Sequence, residues 1–439
     1  MNVDRTNRLV LATLFGLLLG GCAGESTNLP ADAPPVVRAA VEECATLDRE
    51  SKTDCYQGHF LARLEQSGVR EALSALEAVA AVDVDVERDG HVYTHAIGIT
   101  SYSADVDVST VFSQCTTLFQ SGCYHGVLQA HFMASGEVTE EVVQSLCESY
   151  KGPDADRWIL FQCLHGMGHG LTMFYDHHLP RALEACDLLA SRWDQESCYG
   201  GAFMENIMSA SNPHHPASEL ASDHGEMASG EAEMPSGEAA VQGAADSEHQ
   251  HEAGPAAGTG EIAAEPFEPL RESDPHYPCS IMDVRYLRAC YMMQTSAMLW
   301  LNGGDIGGAA KSCDDAPENW RRTCFQSLGR DISSYTLQDV DDSIRECRKA
   351  NPEYRVWCYI GLVKNFVDLT ADTRTGFEFC REVEEDSKPR CYEALGEEIG
   401  VLRSDPAEQR ELCTAAESPM LEQSCLYGAR VLLSRPAGT

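Results

Sequence analysis

Cys347-Arg348-Lys349-Ala350-Asn351-Pro352-Glu353-Tyr354-Arg355-Val356-Trp357-Cys358-Tyr359-Ile360-Gly361 is the passage from which the architecture of this chain follows. Ten residues separate two cysteines, a large aromatic residue follows the second, and a glycine stands two further on. The same ten-residue gap separates Cys44 from Cys55, Cys279 from Cys290, Cys313 from Cys324 and Cys380 from Cys391. Gaps of eleven separate Cys186 from Cys198 and Cys413 from Cys425, a gap of seven separates Cys115 from Cys123, and one of fifteen separates Cys147 from Cys163. The position after each second cysteine is always large and apolar (Tyr56, Tyr124, Leu164, Tyr199, Tyr291, Phe325, Tyr359, Tyr392, Leu426), and the one two further on is nearly always small. A bulky residue filling an interior, then a small one admitting a neighbouring backbone, describes a packed helix start.

Helical periodicity precedes the first cysteine, as in Leu179-Pro180-Arg181-Ala182-Leu183-Glu184-Ala185-Cys186. Each unit is therefore expected to be a helix, a short polar loop and a second helix, with a disulfide across the neck. The second cysteines from Cys290 onward recur every 33 or 34 residues, the length of one antiparallel helix pair. Such a pair cannot bury its apolar face alone and stacks on its neighbours. The expected fold is an all-α solenoid of about nine disulfide-stapled hairpins. A closed loop of this length stabilises by roughly 3 kcal/mol per disulfide. Zinc-type Cys-x2-Cys spacing is absent, so the cysteines read as disulfides rather than ligands. In period and cysteine placement the array resembles Sel1-like and tetratricopeptide solenoids, although the tetratricopeptide Trp-Leu-Gly-Tyr signature is missing. That resemblance implies a fold class and no ligand.

The first residues read as a secretory signal, with Arg5 and Arg8 before the apolar run Leu9 to Leu19. Leu19-Gly20-Gly21-Cys22 resembles the lipobox of bacterial lipoproteins, which implies cleavage before Cys22 and its lipidation. Ala23 after that cysteine implies sorting to the periplasmic side of an outer membrane rather than to the inner one. Residues 1–21 are thus expected to be a signal peptide and 22–36 a flexible tether. The chain has 19 cysteines; setting Cys22 aside leaves 18, an even number in a chain bound for an oxidising compartment. The formal charge of −37 excludes nucleic acid as a partner and suits cations.

Two stretches break the period. Val82, Val84, Val86 and Val92 suggest a small extended insertion over 82–102. Residues 210–277 are rich in Ala, Gly, Glu, Ser and Pro and read as a disordered acidic insertion carrying His214, His215, His224, His249, His251 and His276. It is similar to metal-collecting loops of periplasmic copper proteins. The insertion divides His-bearing repeats (37–209) from plain ones (278–432).

The chemistry-bearing residues lie in the first half. His91 and His95 stand four apart, as do His165 and His169, which is one face of a helix, where one ion can take both. His125 occupies the repeat position of His165, and Glu205 lies beside the position matching His169 in the next repeat. Stacking is expected to bring His125, His165 and His169 to one groove, with His91 and His95 joining only if their segment folds back over it. Imidazole suits zinc or copper among others, and Met167, Met204 and Met208 lean toward copper. His-Glu-x2-His, Gly-x-Ser-x-Gly and P-loop motifs are absent. The expectation is an envelope lipoprotein binding copper or zinc through His91, His95, His125, His165, His169 and Glu205. The alternatives are a scaffold gripping an envelope protein or peptidoglycan, and a metalloenzyme using the same histidines.

Overall fold

The structure, a computed structural model, describes residues 33–103, 105–152, 157–211 and 266–436. The expected signal peptide, Cys22 and most of the expected tether lie outside these residues, as does 212–265 of the expected acidic insertion. The described residues form twenty α-helices and no strand.

Long helices form one row: α2 (Arg49–Ser67), α5 (Gly90–Ser101), α7 (Leu118–Ser135), α9 (Arg157–Phe174), α11 (Arg192–Ser211), α12 (Leu287–Leu301), α14 (Glu318–Tyr335), α16 (Arg355–Thr370), α18 (Lys388–Leu402) and α20 (Pro419–Gly428). Each packs on the next in this order. Shorter helices back the row: α1 (Pro35–Cys44), α3 (Val69–Ala80), α4 (Val84–Arg88), α6 (Val108–Phe112), α8 (Glu140–Ser145), α10 (Leu179–Cys186), α13 (Ile306–Asp315), α15 (Val340–Cys347), α17 (Thr373–Glu382) and α19 (Pro406–Cys413).

Nine disulfides close the hairpin necks, each between neighbours in the cysteine order. In the first half Cys44 is bonded to Cys55, Cys115 to Cys123, Cys147 to Cys163 and Cys186 to Cys198. In the second half Cys279 is bonded to Cys290, Cys313 to Cys324, Cys347 to Cys358, Cys380 to Cys391 and Cys413 to Cys425. Their Cα separations are 5.5–5.9 Å, the ordinary span of a disulfide. The large residue after each second cysteine fills the core; Tyr56, Tyr199, Tyr359 and Tyr392 are fully buried.

The small residues three after the second cysteine pair the long helices in twos. A methyl on Gly201 of α11 would overlap the His165 carbonyl of α9, and one on Gly168 of α9 would overlap the Cys198 carbonyl of α11. The two backbones therefore touch directly. The same reciprocal contact joins α5 to α7, α14 to α16 and α18 to α20. The row also bends back on itself, so that α7 meets α16 and α9 meets α18.

Three expectations are corrected. Residues 82–102 are not extended: they form α4 and α5. Asp83 caps α4 by accepting from Asp85 N, and Val86 is buried. The valine alternation fails because no neighbouring strand exists among the described residues to pair with it, whereas Tyr93, Ala96 and Ile97 bury one helical face. Residues 35 and 36, expected to belong to a tether, are helical: α1 begins at Pro35 with proline in its first turn, where a missing N–H costs nothing. The insertion is also shorter: Ser211 still ends α11, and residues 266–277 are packed against the repeats. Asn206 Nδ2 donates to the Pro269 carbonyl (3.0 Å), Arg271 lies 4.0 Å over the Tyr277 ring, and Gln294 Nε2 donates to the Pro275 and Tyr277 carbonyls (both 2.8 Å). These polar anchors let a stretch poor in apolar residues hold one conformation. The unit closed by Cys279 and Cys290 consequently has turns in place of its first helix.

Candidate metal centre

Four successive long helices supply the site. Helix α5 carries His91 and His95, α7 carries His125, α9 carries His165 and His169, and α11 carries Glu205. The pairing of α5 with α7 explains how the first two arrive. Gly126 of α7 abuts the His95 carbonyl just as Gly201 of α11 abuts that of His165. His95 thus occupies the repeat position of His125 and His165, in a helix that has no cysteine to announce it.

All five imidazoles converge. His125 is central, with ring centroids 5.6 Å from His91, 6.4 Å from His95, 5.2 Å from His165 and 4.8 Å from His169. His91 to His95 and His95 to His169 are each 5.9 Å, and His165 to His169 is 5.2 Å. Rings bound to one ion through nitrogen at about 2.0–2.1 Å hold their centroids roughly 3.2 Å from it, so two at the tetrahedral angle stand roughly 5 Å apart. The spacings among His125, His165 and His169 match that value, and the others stay within the roughly 6.4 Å of two rings opposed across one ion. His95, His169 and Glu205 bring one ligand atom each within 4.8 Å of the others.

Each of four rings has one nitrogen engaged by the protein. His91 Nδ1 donates to the Phe119 carbonyl (2.9 Å), His125 Nε2 to Gln162 Oε1 (3.3 Å), His169 Nδ1 to Glu205 Oε2 (2.8 Å), and His165 bonds to the Ser197 backbone. In the first three the partner is an acceptor, which places the hydrogen on the engaged nitrogen and a lone pair on the other. His125 Nδ1 and His169 Nε2, on side chains almost wholly buried, have no hydrogen-bond partner. Buried polar atoms are ordinarily satisfied, and an imidazole whose second nitrogen is fixed by a carboxylate or carbonyl is oriented as a metal ligand. Burial also keeps the rings neutral. It holds His91 down at about 4 and His169 at about 3, and with the neighbouring imidazoles it holds His125 and His165 well below the usual value.

The backbone bends to serve this arrangement. Phe119 and Ser121, in the first turn of α7, have φ of 46° and 64°, in the left-handed region that costs a side-chain-bearing residue energy. Phe119 is the residue whose carbonyl receives His91.

Sequence reasoning missed Phe119, Gln162 and Ser197, because an acceptor carbonyl leaves no residue-type signal. It also missed the approach of the second half. The Met293 methyl and His165 Nδ1 flank Gly200, 3.9 and 3.3 Å from where its Cβ would stand. Met167, by contrast, is sealed in the apolar core. His59 and His131 lie apart, paired with Glu43 (3.1 Å) and the Tyr102 hydroxyl (3.1 Å). Cys44 and Cys55 beside His59 are bonded to each other and offer no thiolate. At the repeat positions of the histidines, the second half has Arg330 bonded to Asp331 and Ser296, and Lys364 bonded to Glu397 and Glu398. No family model, curated protein or solved structure matches the chain.

Proposed function

We propose that this is an exported, lipid-anchored envelope protein that binds a transition-metal ion in its first half, with His95, His169 and Glu205 as the resident ligands and His91, His125 and His165 around them. The observation that carries the reading is the convergence of five imidazoles, four of them kept neutral by burial, and one carboxylate from four helices, with two buried ring nitrogens lacking any donor. A cation is the natural partner for lone pairs that meet without hydrogens between them. Imidazole with carboxylate suits zinc or copper, and one divalent charge beside Glu205 leaves little net charge to bury. The lipobox-like Leu19–Cys22 and the even set of remaining cysteines support export and anchoring.

Metal analysis of the full chain, purified without an affinity tag and equilibrated with zinc or copper, is expected to give about one equivalent. His169→Ala should abolish tight binding. Glu205→Gln, which removes a charged ligand that also orients His169, should weaken it by at least roughly 10–100-fold. Less than a tenth of an equivalent in the unmodified protein, or undiminished binding in His169→Ala, overturns the reading.

A further inference from the structure

The cluster holds more imidazoles than a single seat uses, and they are not equally placed. His125, His165 and His169 are 2%, 5% and 1% exposed, whereas His91 and His95 keep part of their surface accessible. The accessible pair comes from one helix, α5, and Glu205 from α11. His95 joins the two, since its ring touches those of His91 and His169 and its ligand atom lies within 4.8 Å of those of His169 and Glu205.

Two seats share His95. The outer one is the half-buried pair His91 and His95, with ring centroids 5.9 Å apart. The inner one is His95 and His169, also 5.9 Å apart, with Glu205 on His169. Two nitrogen ligands of one ion cannot hold their ring centroids farther apart than roughly 6.4 Å, so each pair can share one ion. Two divalent ions in adjacent seats would repel strongly at low dielectric, with one carboxylate to offset them. One ion and two seats is the arrangement that this charge supports.

We infer that the histidine cluster is a relay, in which a divalent ion is captured at His91 and His95 and passed, with His95 still bound, to the inner seat completed by His169 and Glu205. This rests on the metal-binding reading above. His91 is then an entry residue that the resident ion does not need. Its Nδ1 is held by the Phe119 carbonyl, which leaves Nε2 to meet an arriving ion. His95 belongs to both seats, so the ion exchanges His91 for His169 and Glu205.

A relay residue speeds entry and exit alike, because both use the same path in opposite directions. Its removal slows both and leaves the equilibrium unchanged. The test is stopped-flow loading of the full chain with zinc, followed by a chelator chase, comparing the unmodified protein with His91→Ala and His91→Gln; glutamine can still donate to the Phe119 carbonyl and guards against a folding defect. The expected result is loading and release both slowed at least tenfold, with affinity within about twofold and one equivalent retained. Loss of affinity with an unchanged loading rate would make His91 a resident ligand and overturn the relay. Unchanged rates and affinity in both variants overturn it equally. If the unmodified protein binds no zinc, the metal reading itself fails, an outcome distinct from either.

Discussion

His169 sets the terms at the scale of single residues. It is neutral because burial makes its charged form costly, and the same holds for His91, His125 and His165. In the unfolded chain these rings take up protons near pH 6.5, while in the fold His91 and His169 do so only near 4 and 3. Below pH 6.5 the unfolded state therefore binds more protons, and stability falls with pH. Each such ring contributes up to about 1.4 kcal/mol per pH unit until its folded value is reached. Chemical denaturation of the metal-free protein between pH 7 and 4.5 is expected to show a steep loss, and His169→Gln should flatten it. A profile without slope between pH 6.5 and 4.5 would contradict the burial of neutral imidazoles. The histidines of α7 and α9 were legible as one site because their distance from the preceding cysteine is the same: His125 follows Cys123, and His165 follows Cys163, at one repeat position. The register of His95 was hidden: its helix carries no cysteine, and a glycine thirty-one residues later fixes its level.

Elements owe their placement to two devices of different legibility. Cysteine spacing announced the hairpins, and the start of each backing helix is marked just as regularly. Asp107, Thr139, His178, Asp305, Asp339, Asp372 and Asp405 each lie eight residues before a first cysteine, and each side chain accepts a backbone N–H at the helix start. The second device, direct backbone contact at glycine, was half legible. The small position was plain, but its reciprocal use by helices in twos needs a partner's carbonyl that sequence does not display. Two substitutions separate packing from propensity. Gly201→Ala forces α11 away from the His165 carbonyl and is expected to cost at least about 1–3 kcal/mol and to weaken zinc binding with it. Gly58→Ala, on the exposed side of α2 with nothing within 4 Å, is expected to stabilise by about 0.5–1 kcal/mol. Thermal melts of both, with zinc titration of the first, check the pair; equal effects would remove the distinction. The misreading of 82–102 has the same origin, since alternating valines describe a strand only where another strand lies alongside.

The molecule as a whole combines a heavy negative charge with a covalently closed set of necks. The charge of −37 draws cations toward every face and is screened by salt over about 10 Å at 0.1 M. Zinc loading is accordingly expected to slow severalfold between 20 and 300 mM sodium chloride, with a smaller change in release; a salt-independent loading rate would count against steering by the acidic surface. The staples fix each hairpin but not how many hairpins there are. That number is governed by the bend that brings α7 to α16 and α9 to α18. In an open array a unit can be gained or lost at little cost to the others, since each knows only its neighbours. Here a hairpin added or removed between α9 and α16 would carry those helices past their partners, so copy number is locked by geometry. The chain can drift residue by residue, yet it can change length by a repeat only by giving up the closure that backs its histidines.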